Sequence, residues 1–192
     1  VELTRSNEVM SPVAKVEREL ETRKIYGSFT LFLFGMAVPF FLMINVRFIM
    51  AAGFVPASVD QATGAIQAAL LAVSGLAAIA AGSAVKKGQI AGYRRNVMFA
   101  LVLGTISTLM GVYQWWYHPF DAMSHYGETF LSTVGLIVVM NLTGLLTLWA
   151  SHARIRRVGI TETTKVGYRT PIIYWLFLVV CALFMYVELY FV

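Results

Sequence analysis

Five runs of apolar residues, each a little over twenty long, recur along the chain with polar stretches between them. They cover 27–50 (GSFTLFLFGMAVPFFLMINVRFIM), 64–85 (GAIQAALLAVSGLAAIAAGSAV), 96–117 (NVMFALVLGTISTLMGVYQWWY), 128–150 (ETFLSTVGLIVVMNLTGLLTLWA) and 170–191 (TPIIYWLFLVVCALFMYVELYF). A helix needs about 20 such residues to cross roughly 30 Å of hydrocarbon. The pattern predicts an all-α, polytopic membrane protein whose residues 27–192 form a five-transmembrane-helix bundle. Residues 1–26 read as a cytoplasmic N-terminal tail, too polar to hold the apolar core of a cleavable signal peptide, so the first span is expected to stay in the membrane. Within that tail, 11–24 predict a short amphipathic surface helix with Ser11 as N-cap, Pro12 at its first position and Val13, Val16 and Leu20 on one face.

Inside the spans, small and special residues set expectations about packing. Pro39 frees the carbonyl of Gly35 and predicts a bend in span one. Span two carries two stripes at four-residue spacing, Gly64, Ala68, Ala72 and Ser74, Ala78, Gly82, a pattern that lets helix backbones approach closely. It is therefore expected to be the most protein-enclosed span. In span four, Gly135 and Gly144 flank Asn141 and mark a second close contact. The single cysteine, Cys181, excludes an intrachain disulfide and reads as a packing residue.

Composition agrees with a membrane setting: 58% of the 192 residues are apolar and 13% charged, against about 45–50% and 25% in soluble domains. The net charge of +5 raises nucleic acid as a partner, but the positions of the cations decide otherwise. Fourteen of the 15 fall in three segments: the N-terminal tail, the connection holding Lys86, Lys87, Arg94 and Arg95, and the connection holding Arg154, Arg156, Arg157, Lys165 and Arg169. Basic residues beside spans stay cytoplasmic, which predicts the N-terminus inside and the C-terminus outside. The remaining cation, Arg47, is expected to snorkel to headgroups at the outer end of span one. Trp115, Trp116 and Tyr117 are expected to mark the outer interface and Tyr168 the inner one. Arg94, Arg95 and His152 are candidates for anionic lipid headgroups.

Candidate chemistry is sparse. Glu128 and Glu188 sit at span ends and read as interfacial, while Gln114 and Asn141 are neutral, so no carboxylate marks a midplane proton relay. His118, Asp121 and His125 fall within eight residues of one loop and are weak candidates to hold a divalent cation; a polar interfacial loop is the ordinary reading of the same residues. No span offers the facing histidines of a bis-histidine haem site, and no phosphate loop, nucleophile elbow or catalytic carboxylate pair is present. The expectation is no catalytic residue, no bound cofactor and no metal held by this chain. A small-solute transporter would need polar groups or matched helix breaks around a central site, and Pro39 is the one internal span proline.

The segment YGETFLSTVGLIVVMNLTG, 126–144, resembles the penultimate-helix signature of haem-copper oxidase subunit III through Tyr126, Gly127, Phe130, Gly135 and Gly144. The last span is similar to that family's closing helix through Tyr174, Trp175, Phe177, Leu183, Phe184, Tyr186, Val187 and Tyr190, and Gly111 to Trp115 with Pro119 and Phe120 resemble its QAYEY segment and following PF. The five-helix form of the family fits nearly the whole chain. Its acidic residue in the first helix falls at Ala37, its two signature-helix histidines at Ile137 and Met140, the histidine of its closing YWH at Leu176, its last-helix aspartate at Val179 and the QAYEY glutamate at Gln114. The resemblance is thus to a diverged member whose polar interior has been replaced by apolar groups.

That resemblance implies a non-catalytic subunit III of a respiratory terminal oxidase in the cell (inner) membrane. Such a subunit packs on the catalytic subunit I, with subunit II nearby, binds phospholipid, and supports assembly or proton uptake. Haem and copper are expected in the partner subunits. Gly135, Gly144, Tyr174 and Trp175 are the expected packing residues. The alternative is an accessory subunit of another membrane enzyme, such as a nitric oxide reductase.

Overall fold

The computed structural model describes residues 12–161 and 164–191. Five α-helices follow one another: α1 Pro12–Ala51, α2 Gln61–Lys86, α3 Ile90–Trp116, α4 His125–Val158 and α5 Lys165–Phe191. No strand occurs among the described residues. All five are long and apolar enough to cross a membrane, and the chain is an all-α multi-pass membrane protein.

The helices overrun the apolar runs. α4 continues through Arg154, Arg156 and Arg157 to Val158, and α5 begins at Lys165 rather than Thr170. Hydropathy marks where a helix is apolar, whereas the backbone ladder stops only at a cap. Two caps show this. Asp60 opens α2, its carboxylate accepting from the Thr63 amide at 3.1 Å and the Thr63 hydroxyl at 2.5 Å. Gly159 closes α4 at φ +69°, a backbone region open to glycine. The early start of α5 also places Pro171 inside it, so Pro39 is not the one proline within a membrane helix.

The expected surface helix over 11–24 is not a separate element. α1 starts at Pro12 and runs unbroken for 40 residues; Gly27, the weakest helix former near the expected break, costs only about 1 kcal/mol. Ser11, the expected cap, lies outside the described residues. The chain divides into two compact units, Val1–Gly35 and Met36–Val192. The first contributes helix over its described residues, where Thr30 returns its hydroxyl to the Tyr26 carbonyl at 2.8 Å.

The second unit holds the core. Here α2 pairs with α3, α3 with α4, α4 with α5, and α5 back with α2, closing a four-helix ring. Short connections at 87–89 and 159–164 make the joined helices antiparallel. One end of the ring carries the basic connections. There the Tyr93 ring lies 5.6 Å from that of Tyr168, and the Tyr93 and Ser151 hydroxyls are 2.6 Å apart. The opposite end is aromatic: Phe120, Tyr126, Phe130, Tyr186 and Tyr190 meet ring to ring at 4.9–5.8 Å. Residues 36–51 of α1 pair with none of these helices backbone to backbone.

Burial reverses one expectation. α5, with half of its apolar window buried, is more enclosed than α2 at 39%. Small residues let neighbours come close to α2, but its other face, with Ile66, Val73, Leu76 and Ile79, points outward. α5 instead sends large side chains inward. Tyr168, expected at an interface, is buried, and its hydroxyl donates to the Gly159 carbonyl at 3.0 Å, tying α5 to the end of α4. Cys181 is half-buried and lies outside the fully buried core.

Candidate functional site

Trp175 is the centre of the bundle. It has no exposed surface, and its indole N–H donates to the Ser74 hydroxyl on α2 at 3.0 Å. Its six-membered ring lies over two glycines: a Cβ at Gly104 on α3 would come within 2.6 Å of it, and one at Gly144 on α4 within 2.7 Å. One side chain from α5 thus contacts all three other helices of the ring. The Ser74 hydroxyl in turn donates to the Ala100 carbonyl at 2.8 Å, so the buried hydroxyl is used as donor and as acceptor. Tyr174 is buried beside it, its hydroxyl 2.7 Å from that of Thr143.

Glycine placement corrects the sequence reading in part. Gly144 is needed for contact, but Gly135 is not: the nearest atom to a Cβ there is Trp115 Nε1 at 3.5 Å, an ordinary contact. Gly135 instead lines a surface groove of about 310 Å³ with Val112, Trp115, Val138 and Val139. Tight contacts also fall at Gly104, at Gly127 and at Gly64, the last of these a member of the small-residue stripe expected to let a neighbour approach α2. A Cβ at Gly64 would clash with the Tyr190 ring, and one at Gly127 with the backbone of Asp121 and Ala122.

The interior is not wholly apolar. Ile137 and Val179, which stand where the resembled family has polar groups, are buried. So are Ser74, Ser107, Thr108, Gln114, Thr133 and Asn141. Hydroxyl and amide hydrogen bonds join the helices: Ser107 donates to the Gln67 carbonyl at 3.0 Å, and Tyr190 to Gln114 Oε1 at 3.0 Å. Gln114 lines both a cavity of about 30 Å³ inside the ring and a pocket of about 430 Å³ opening at the aromatic end beside Asp60, Tyr113, His118 and Phe120.

The aromatic end also holds two charged side chains that the sequence placed at span ends, Arg47 and Glu188. Arg47 does not snorkel outward. It is 1% exposed, its guanidinium lies 4.9 Å from the centre of the Tyr126 ring, and Nη2 donates to the Phe54 carbonyl at 2.8 Å. Glu188, in the last turn of α5, is likewise buried against the protein, at 4% exposure. The signal in sequence was that Arg47 is the one cation away from the three basic segments.

The three loop residues do not assemble a metal centre. Among the described residues no three His, Cys, Asp or Glu side chains converge. The His118 ring packs 5.3 Å from Phe120, Asp121 Oδ1 accepts from the Met123 amide at 3.0 Å, and His125 is the first residue of α4. These are the contacts of a loop folding on itself. Asp60, the N-cap of α2 at this end, is held below the usual carboxylate range by its hydrogen bonds from Thr63.

At the basic end, Arg95 is exposed and Arg94 half-buried. His152, a headgroup candidate from sequence, is buried with Nδ1 enclosed and unpartnered. It interacts electrostatically with Arg156 and Arg94 rather than with its neighbour Arg154. Helix periodicity explains this: positions four apart on α4 share a face, and those two apart do not.

Residues 27–192, covering all four helices of the ring and the apolar part of α1, match the family of cytochrome c oxidase subunit III. The chain belongs to that family. It is similar to cytochrome c oxidase subunit 3 of Anopheles gambiae, 28% identical over 129 residues that make up 65% of this chain and 48% of that one. It is also similar to cytochrome c oxidase subunit 3 of Locusta migratoria, 31% identical over 100 residues, 50% of this chain and 37% of that one. The chain spans about half the length of these relatives or less. Within the subunit III family, this member builds its ring around Trp175 with hydroxyls, amides and glycines as the fitted parts.

Proposed function

We propose that this chain is a non-catalytic, subunit III-like component of a membrane terminal oxidase, which packs on the catalytic subunit and helps hold the complex together in the cell membrane. The match to cytochrome c oxidase subunit III over 27–192 carries this reading. The shape of the bundle supports it: the inward side chains are spent on closing the ring, while Met98, Phe99, Val102, Ile106 and Leu109 of α3 point outward and are available to a partner or to lipid. Haem and copper belong to the partner subunits. The basic end faces the cytoplasm, where Arg94, Arg95 and their neighbours contact anionic phospholipid headgroups, each worth on the order of 1 kcal/mol near the surface.

Purification of the tagged chain in mild detergent tests this directly. A larger assembly is expected, with oxidase chains identified by mass spectrometry and a haem spectrum belonging to those partners. Recovery of the chain as a stable free monomer would overturn the proposal. For the lipid contact, Arg94→Gln with Arg95→Gln is expected to lower retention of anionic lipid in native mass spectrometry, and unchanged retention would remove it.

A further inference from the structure

Arg47 on α1 and Glu188 on α5 are buried charges whose hydrogen bonds are incomplete. The two interact electrostatically, and Tyr126 locates them together: Arg47 stacks on its ring, and its hydroxyl donates to the carbonyl of Leu189, next to Glu188, at 2.9 Å. Nη2 of Arg47 is satisfied by Phe54. Its Nε and Nη1, and both carboxylate oxygens of Glu188, have no partner. Ionised groups stranded in this way are among the most costly features a fold can carry.

The chemistry of the open valences selects the ligand. An anion would satisfy Arg47 and repel Glu188, and a cation would do the reverse. Only a small molecule that both donates and accepts serves the two at once. A surface groove of about 640 Å³ lined by Ala51, Phe54, Ser124 and Tyr126 opens beside this corner and includes two residues that contact Arg47, Phe54 and Tyr126. We propose that Arg47 and Glu188 share ordered water, forming a hydrated, buried ion pair that fastens α1 to α5. Water bridging two charged groups is nearly as favourable in enthalpy as a direct hydrogen bond. Residues 36–51 of α1 have no helix backbone close by, so this pair and the Tyr126 stack add to the packing of Ala51 in the aromatic-end core in holding that segment to the ring.

High-resolution electron cryo-microscopy of the purified assembly in lipid nanodiscs reads the site. Density for water within hydrogen-bonding distance of both head groups is expected. Direct guanidinium–carboxylate contact with nothing between them, or density for an ion, overturns the proposal. Hydrogen exchange across 50–56 supplies an independent readout. Arg47→Met and Glu188→Leu are each expected to speed exchange by more than about tenfold, while the double variant returns close to the parent, because removing both partners strands no charge. Where a single variant fails to assemble, recovery of assembly by the double variant is the same result. A double variant no better than the worse single overturns the coupling.

Discussion

One added methyl group at Gly144 tests whether the ring depends on Trp175 lying against bare backbone. A Cβ there would come 2.7 Å from Leu178 Cδ1 and 2.7 Å from Trp175 Cε3, whereas carbon atoms rest at about 3.5–4.0 Å. The indole cannot tilt away freely. Its other edge meets Gly104, where a Cβ would be 2.6 Å from Cζ2, and its N–H is held by Ser74. Overpacking of this kind costs about 1–3 kcal/mol, and replacing glycine by alanine within a helix returns about 1 kcal/mol. Gly144→Ala is therefore expected to destabilise by up to about 2 kcal/mol. Gly135→Ala, on the same helix, meets nothing closer than 3.5 Å and is expected to be neutral or to stabilise by up to about 1 kcal/mol. Thermal unfolding of the detergent-solubilised assembly measures both. Adding Trp175→Phe to Gly144→Ala makes room for the methyl, so the two changes together should cost less than their sum by about 1 kcal/mol. Equal stability of the two alanine variants, or strict additivity with Trp175→Phe, would refute the packing argument.

Tyr93→Phe removes the 2.6 Å contact with Ser151, which keeps its bond to the Leu148 carbonyl; the expected loss is about 0.5–1.5 kcal/mol, read as a lower unfolding midpoint. Gly159→Ala forces a side chain into φ +69°, ψ −172°, a region nearly confined to glycine, and is expected to cost about 1–3 kcal/mol and to speed hydrogen exchange in the last turn of α4. Asp60 has its carboxyl held below the usual range by Thr63, so its contribution to stability is complete above the unfolded aspartate value of about 3.9. That contribution disappears as pH falls through the lower folded value. A pH series of unfolding midpoints should show this acid limb in the parent and not in Asp60→Asn, and identical limbs would refute it.

The helical class, the five apolar crossings and the subunit III family were all legible in sequence, because each rests on local pattern: run length, glycine spacing and motif order. Trp175, Tyr174 and Gly144 stood out for the same reason, since their neighbours form recognisable strings. Other features depended on what the fold brings from far away. The sequence treats Gly135 and Gly144 alike, yet only Gly144 faces a side chain, Trp175, that leaves no space for a Cβ. α2 has the stripes of small residues, but enclosure goes to α5 because bulk there points into the ring.

Charge shows the division most clearly. Cation positions along the chain are enough to predict which connections are basic, because loop charge is a one-dimensional property. They cannot tell a cation that reaches the headgroups from one folded inward over Tyr126. Arg47 and Glu188 are 141 residues apart in the chain, each unremarkable at the end of its own helix. Only the fold of the Met36–Val192 unit, which brings the end of α1 to the aromatic end of the ring, removes both from solvent and leaves two charges whose hydrogen bonds must be met inside the protein.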